Sequence, residues 1–223
     1  MKEWVIPTAD AAFVCAMEEV LDVYERPYKA DYPVVNLDES PFQLVSQTHQ
    51  DFIDSQGVHH IDYEYKREGV VDLYMICEAL TGKREVLVKA THDRFCWGQA
   101  IAFIAQDLYP QAQKITIVQD NLSAHQPRAL YELFPPRQAR AILKRIEFVH
   151  TPRHGSWLNV AEIELSILKR VGLAKRVPDR LSLQQHIYDY VNVRNSKDSR
   201  INWQFTTKDA RIKLNNLYPS FKP

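Results

Sequence analysis

The sequence predicts an α/β domain: a mixed five-stranded sheet with helices on both faces. Three observations predict it. Ile115, Thr116, Ile117 and Val118 have the β-branched composition of a buried strand. Two apolar runs flank Thr81-Gly82-Lys83 and read as an antiparallel hairpin. Apolar residues at i, i+3 and i+4 recur in the intervening segments, the pattern of amphipathic helices. An antiparallel start followed by alternating helix and strand implies a sheet covered on both sides.

Taken in order, residues 9–25 carry Phe13, Ala16, Met17, Val20 and Tyr24 at helical spacing. Arg26-Pro27 and Tyr32-Pro33 end that helix and start an extended segment. Val34, Val35 and Leu37 predict a short strand closing on Asp38-Glu39, because Pro41 opposes its continuation as a regular central strand. Residues 43–65 read as an irregular loop or lid-like insertion. Its neighbours His59 and His60 are a poor ligand pair, since adjacent strand residues face opposite ways. Residues 70–80 and 84–90 form the hairpin strands. Residues 96–109 read as a helix with Trp97, Ile101, Ile104 and Leu108 on one face. Helices follow at 125–134 and 138–145, interrupted by Pro135-Pro136, and a strand at 146–149. A helix over 156–171 is expected with Ser156 as N-cap, then one over 181–195, and a last one capped by Thr206 or Thr207 and running to about Leu217. The domain expectation is an N-terminal helix and linker (1–32), a central α/β domain (33–196) and a C-terminal helical tail (197–223).

Composition narrows the class. No run of about 18 apolar residues predicts a membrane span, and MKEWVIPTAD has no apolar signal region. Cys15, Cys77 and Cys96 are odd in number and scattered, which fits reduced core thiols in a cytoplasm rather than a disulfide framework or zinc knuckle. Lys and Arg balance Asp and Glu at 28 each. That excludes a wholly basic nucleic-acid-binding surface and leaves room for an acidic centre beside local basic pairs such as Lys144-Arg145, Lys169-Arg170 and Lys175-Arg176.

The chemistry lies in three carboxylates at element ends. Asp38 ends the first strand, Asp120 ends the strand at 115–118, and Glu162 sits in the first turns of a later helix. Ligands of open α/β sheets collect at the carboxyl ends of strands. Three acids in one place repel each other until cations join them. Two Mg²⁺ ions, with Mn²⁺ as substitute, suit such a set and serve phosphoryl transfer. Each acid alone also has an ordinary reading, as a turn cap, a helix cap or a surface helix residue.

These residues also carry a resemblance. NLDESPFQL, VQDNLSAH and TPRHGSWLNVAEIELSILKR resemble the three motif blocks of bacterial mariner-type DDE transposases, specifically the insertion-sequence 630 branch. RPYKADYPVVNLDE, IDYEYKREG, LYELFPPRQAR and INWQFTTKDARIKL extend the resemblance over nearly the whole chain. It implies an RNase H-like fold and metal-dependent cleavage and strand transfer of DNA, acting on transposon ends and target as a homodimer. Asp38 and Asp120 match the first two catalytic acids. In Leu158-Asn159-Val160-Ala161-Glu162 the L-N-x-x-E motif selects Glu162 over Glu164. Two residues apart on a helix is about 200°, so only one of them faces the site. The same fold also serves plain nucleases, and a silent DNA-binding or dimerisation remnant is the alternative from outside the enzymes.

Around the acids, Glu39, Asn121 and His125 are supporting candidates. Arg153, His154, Ser156, Trp157 and Lys169 are DNA-contact candidates, with the Gly155-Ser156 turn into a helix as a phosphate site. Ser40 stands where the branch commonly has Lys. Gln119 stands where an apolar residue is usual and needs a hydrogen-bond partner at a buried strand end. Full-length relatives carry an N-terminal helix-turn-helix region. The residues before Asp38 are too few to hold it, so a catalytic domain without that region is expected.

Overall fold

A computed structural model describes residues 10–60 and 63–220. The beginning of the IDYEYKREG block and the segment before Asp10 lie outside the described residues.

The first helix, α1 (Ala11–Tyr24), is capped by Asp10, whose side chain accepts from the Ala12 N–H at 2.9 Å. Its periodicity buries Phe13, Met17, Val20 and Leu21, each stabilising by about 1.5–3 kcal/mol in transfer terms. Cys15 falls on the exposed side and Cys77 in the core; all three cysteines are free thiols.

The strands are β1 (Val34–Gln47), β2 (Phe52–Ile53), β3 (His59–His60), β4 (Tyr65–Glu78), β5 (Lys83–Lys89), β6 (Ile115–Gln119) and β7 (Ile146–His150). Five of them form one sheet in the order β5-β4-β1-β6-β7. The β5-β4-β1 part is antiparallel, while β1-β6 and β6-β7 are parallel. The mixed five-stranded sheet is the expected one. Gly82 makes the β4–β5 turn possible: its φ is +71°, and a Cβ there would lie 2.9 Å from the Ser199 backbone.

The first strand is not short. β1 continues through Pro41 for 14 residues and pairs with β4 as far as Gln47. Proline is tolerated because β6 accompanies β1 only over Val34–Asn36. The Thr116 N–H donates to the Pro33 carbonyl. Alternation from Pro33 points the position-41 amide to that same side, where no strand follows. The expected irregular insertion is therefore largely the continuation of β1 and β4 into an arm, tipped by the small β2–β3 hairpin. His59 and His60 are exposed there, and His60 pairs with Asp54 at 2.8 Å.

Helices cover both faces. On one face lie α2 (Arg94–Phe103), continued by a π-helical turn at Ile104–Leu108, then α3 (Arg128–Leu133) and α4 (Pro136–Lys144). Trp97, Ile101 and Ile104 pack there on Val35, Leu37, Tyr74 and Ile117. On the other lie α5 (Val160–Ile167), α6 (Arg180–Ser196), α1 and α7 (Thr207–Lys213). Leu73 and Met75 meet Ala161, Leu165 and Ile187, while Val118 and Val149 meet α1 and Ala210 of α7. Thr206 caps α7 in a reciprocal box with Asp209; the last turn before Leu217 is a separate 3-10 turn. No helix among the described residues is long and apolar enough to cross a membrane.

Candidate active site

Side-chain alternation decides which acids meet. Leu37 faces the α2 side of the sheet, so Asp38, one residue on, faces the α5 side. Val118 faces α1, and Asp120, two residues on, continues that face past the end of β6. Glu162 lies in the first turn of α5, which packs on this same face. Asp38, Asp120 and Glu162 thus line one cleft of about 300 Å³, together with Glu39, Ser40, Ser156, Asn159, Ser166 and Lys169.

Asn159, used above only as a motif landmark, fixes the third acid. Its side chain accepts from the Ala161 N–H at 3.1 Å, capping α5, and donates to the Leu37 carbonyl at 3.0 Å. One side chain therefore ties the start of α5 to the strand just before Asp38. Ser156 is not the N-cap. Residues 156–158 form a 3-10 turn, and the Gly155 amide is already bonded to the Pro152 carbonyl. The helix begins four residues later than expected, and Asn159 rather than a phosphate occupies its N-terminus. Ser156 reaches the cleft as a lining residue instead.

The cleft is electrostatically loaded. Burial, then the charges of Glu39, Asp120 and Glu162, push the Asp38 carboxyl up to about 7. Glu162 Oε2 and Asp120 Oδ1 are buried without an aligned hydrogen-bond donor, as is Glu39 Oε2 in the layer beneath. Buried carboxylate oxygens lacking donors are costly and rare. A hard divalent cation is the partner that satisfies such a set, so the residues present fit one.

Glu164 does something else. It is 1% exposed and pairs with Arg84 at 2.6 Å and Arg194 at 2.9 Å, away from the cleft. The two arginines hold this acid, leaving Glu162 to face Asp38 and Asp120.

A second polar layer lies beneath, on the α2 side. His125 is buried, not part of a helix, and its Nε2 lies 2.8 Å from Glu39. Its Nδ1 is 3.2 Å from the Asp120 carbonyl oxygen and 2.9 Å from Asp120 Oδ1. The carbonyl contact has hydrogen-bond geometry; the Oδ1 contact is a close charge approach that leaves that oxygen without an aligned donor. Burial alone would lower the His125 pKa, but Asp120 and Glu39 outweigh it and push it up to about 10. Ligand atoms of Glu39, Asp120 and His125 lie within 4.8 Å of one another. Both ring nitrogens of His125 are engaged, one by Asp120 and one by Glu39. Gln119 finds its partners in the Trp97 indole N–H at 3.0 Å and His150 at 3.3 Å.

The remaining candidates separate. Lys169 Nζ reaches the cleft rim, donating to Ser40 Oγ and to the Pro41 carbonyl at 3.0 Å. It puts a cation beside the position where Lys was expected and Ser40 stands. Burial lowers its pKa, against the pull of Asp38 and Asp72. Asn121, Arg153 and His154 line a neighbouring hollow of about 620 Å³ with His150 and the start of α1. His154 takes a left-handed φ of 61°. Trp157 stands edge-on to Phe205 at 5.9 Å and so packs on the C-terminal segment, though half-exposed. A narrow hollow among Tyr24, Tyr28, Tyr32 and Trp203 offers about 20 Å³, space for about one water.

Comparisons with known proteins bear on the family and the fold. A family model described as DDE superfamily endonuclease matches residues 33–184. The mariner Mos1 paired end complex with Mg superposes with a TM-score of 0.58 at 14% identity, over 99% of this chain and 67% of that one. The paired end complex with Mn gives 0.57 at 14% identity, over 99% and 67%. A pre-cleavage Mos1 transpososome gives 0.56 at 12%, over 100% and 68%. At such identities the likeness is one of fold, the RNase H-like α/β architecture. The chain spans about two thirds of the length of those structures. A search of curated proteins found no match. The matched segment contains Asp38, Asp120 and Glu162, and the chain belongs to the DDE superfamily of endonucleases.

Proposed function

We propose that the chain is the catalytic part of a DDE transposase of the bacterial insertion-sequence 630 branch, acting in the cytoplasm. Residues 33–196 form the catalytic unit, flanked by 1–32 and 197–223. Asp38, Asp120 and Glu162 hold two Mg²⁺ ions, with Mn²⁺ as substitute. The observation that carries this reading is one cleft lined by three acids from three elements, with buried carboxylate oxygens that lack donors. The Mos1 complexes contain transposon ends with Mg or Mn, which supports DNA and those ions as partners here.

Held by Asp38, Asp120 and Glu162, such ions would supply activation of the attacking oxygen and charge stabilisation of the leaving one. The protein's own part is positional. Asn159 fixes the register of α5 against β1, and the Arg84–Glu164–Arg194 cluster ties the far side of α5 to β5 and α6. Lys169 and Ser156 at the rim contact a phosphate, and Arg153 and His154 in the adjoining hollow guide the strand that leaves the cleft. Cleavage at an element end would be followed by attack of the freed 3′-hydroxyl on target DNA. Exposed Phe52, Ile53, Val58 and Tyr63 on the arm support a homodimer.

The test is cleavage and strand transfer on DNA carrying the element's terminal repeats, with Mg²⁺ or Mn²⁺. Cleavage followed by joining of a pre-cut end supports the proposal. Cleavage without joining makes the chain a nuclease. No divalent-ion binding, even with DNA present, makes it a silent remnant.

A further inference from the structure

The layer under the acids has a role of its own. Asp120 lies just beyond β6, in a loop with no regular structure until Arg128. Nothing in the sheet ladder holds its carboxylate. His125 closes this loop, its N–H donating to the Leu122 carbonyl at 3.0 Å. From there the imidazole reaches Asp120 through Nδ1 and Glu39 through Nε2. Glu39 follows Asp38 on β1 and points to the opposite face. The histidine thus links the strand of the first acid to the loop of the second. Its ring lies parallel on Trp97, with centroids 5.6 Å apart and an 18° tilt. Trp97 is fully buried and its indole N–H is fixed by Gln119, the last residue of β6. The circuit Glu39–His125–Asp120, backed by Trp97 and Gln119, is closed and largely buried.

We infer that His125 and Glu39 are positioning residues for Asp120: a clamp that presets its carboxylate toward Asp38 and Glu162. The inference rests on the reading of those acids as a metal site. It also gives Gln119 a purpose: an apolar residue there would leave the Trp97 indole N–H unpaired and its ring free to shift under His125.

The variant that isolates the clamp is Glu39→Met with His125→Phe. Replacing both partners removes the buried charges together and keeps an aromatic ring on Trp97, so the fold is retained. The readouts are Mn²⁺ affinity by calorimetry, the melting temperature in chelator, and KM and kcat for cleavage of terminal-repeat DNA. The clamp predicts about 10–100-fold weaker Mn²⁺ binding, a lowered kcat, an unchanged KM for DNA and a near-native melting temperature. His125→Asn in the Glu39→Met background keeps a short donor near Asp120, and recovers part of the Mn²⁺ affinity without changing the melting temperature. It also serves where the phenylalanine variant does not fold. Wild-type Mn²⁺ affinity in the double variants, while Asp120→Asn loses it, overturns the clamp alone. Unchanged affinity in all of them overturns the metal-site reading and the clamp with it.

Discussion

Glu162 and Glu164 are the same residue type, two positions apart on one short helix, and their surroundings make them opposites. Glu162 faces an open cleft with a buried oxygen that has no donor. Glu164 is sealed on the far side between Arg84 and Arg194, and the same Arg84 also donates to the Gly82 and Ser199 carbonyls. On one side a carboxylate oxygen is left without a donor; on the other the charge holds four segments together. A carboxylate's role is therefore set by which donors reach it, and the helical rotation of about 100° per residue decides that.

Breaking the two sides should give separable results. The largest effect is on chemistry: Glu162→Gln should lower metal-dependent cleavage by about 10²–10³-fold or more. Its melting temperature in chelator should equal or exceed that of wild type, because a repelling charge is gone. The next is on stability. Glu164→Ala strands the buried Arg84 guanidinium and the partly exposed one of Arg194, and should cost about 3–5 kcal/mol, roughly 6–20 °C of Tm for a chain of this size. Cleavage per folded molecule at low temperature should survive. Thermal denaturation beside single-turnover cleavage checks both.

A third prediction uses pH to sharpen the contrast. The folded Asp38 pKa, about 7, lies above its ordinary value of 3.8. Its stabilising contribution is therefore complete below about pH 4 and is lost as pH rises toward and through 7. In chelator, Asp38→Asn should remove this part of the pH dependence and melt higher than wild type at pH 8. By the same linkage, cation binding below pH 7 should release a proton, measurable by calorimetry in buffers of different ionisation enthalpy. Smaller still, Thr206→Ala removes the α7 cap at about 1 kcal/mol and should leave cleavage untouched. It is the control on the side of the molecule that carries no chemistry.

Asp120 and Glu162 were legible in the sequence because each sits where an element ends or begins, while Asp38, read as a strand end, lies inside β1. The β-branched run through Val118 exposes Asp120, and helical rotation separates Glu162 from Glu164. The sheet and most helices were legible for the same reason of periodicity. Pro41 misled, since strand pairing on its far side is a property of β4 and β6 that no local pattern shows. Ser156 misled too: Gly155-Ser156 has the composition of a cap, but the intervening 3-10 turn hands the cap to Asn159. The buried layer of His125, Glu39 and Trp97 joins residues up to 86 positions apart. Only the fold brings those together.

The most direct measurement is a Mn²⁺ titration with cleavage assay on wild type, Glu162→Gln and Glu164→Gln at low temperature, with terminal-repeat DNA. Asp38, Asp120 and Glu162 as the ion-binding set predicts that Glu162→Gln loses high-affinity Mn²⁺ binding and cleavage together, while Glu164→Gln keeps both. Wild-type binding and cleavage in Glu162→Gln, or their loss only in Glu164→Gln, would contradict it.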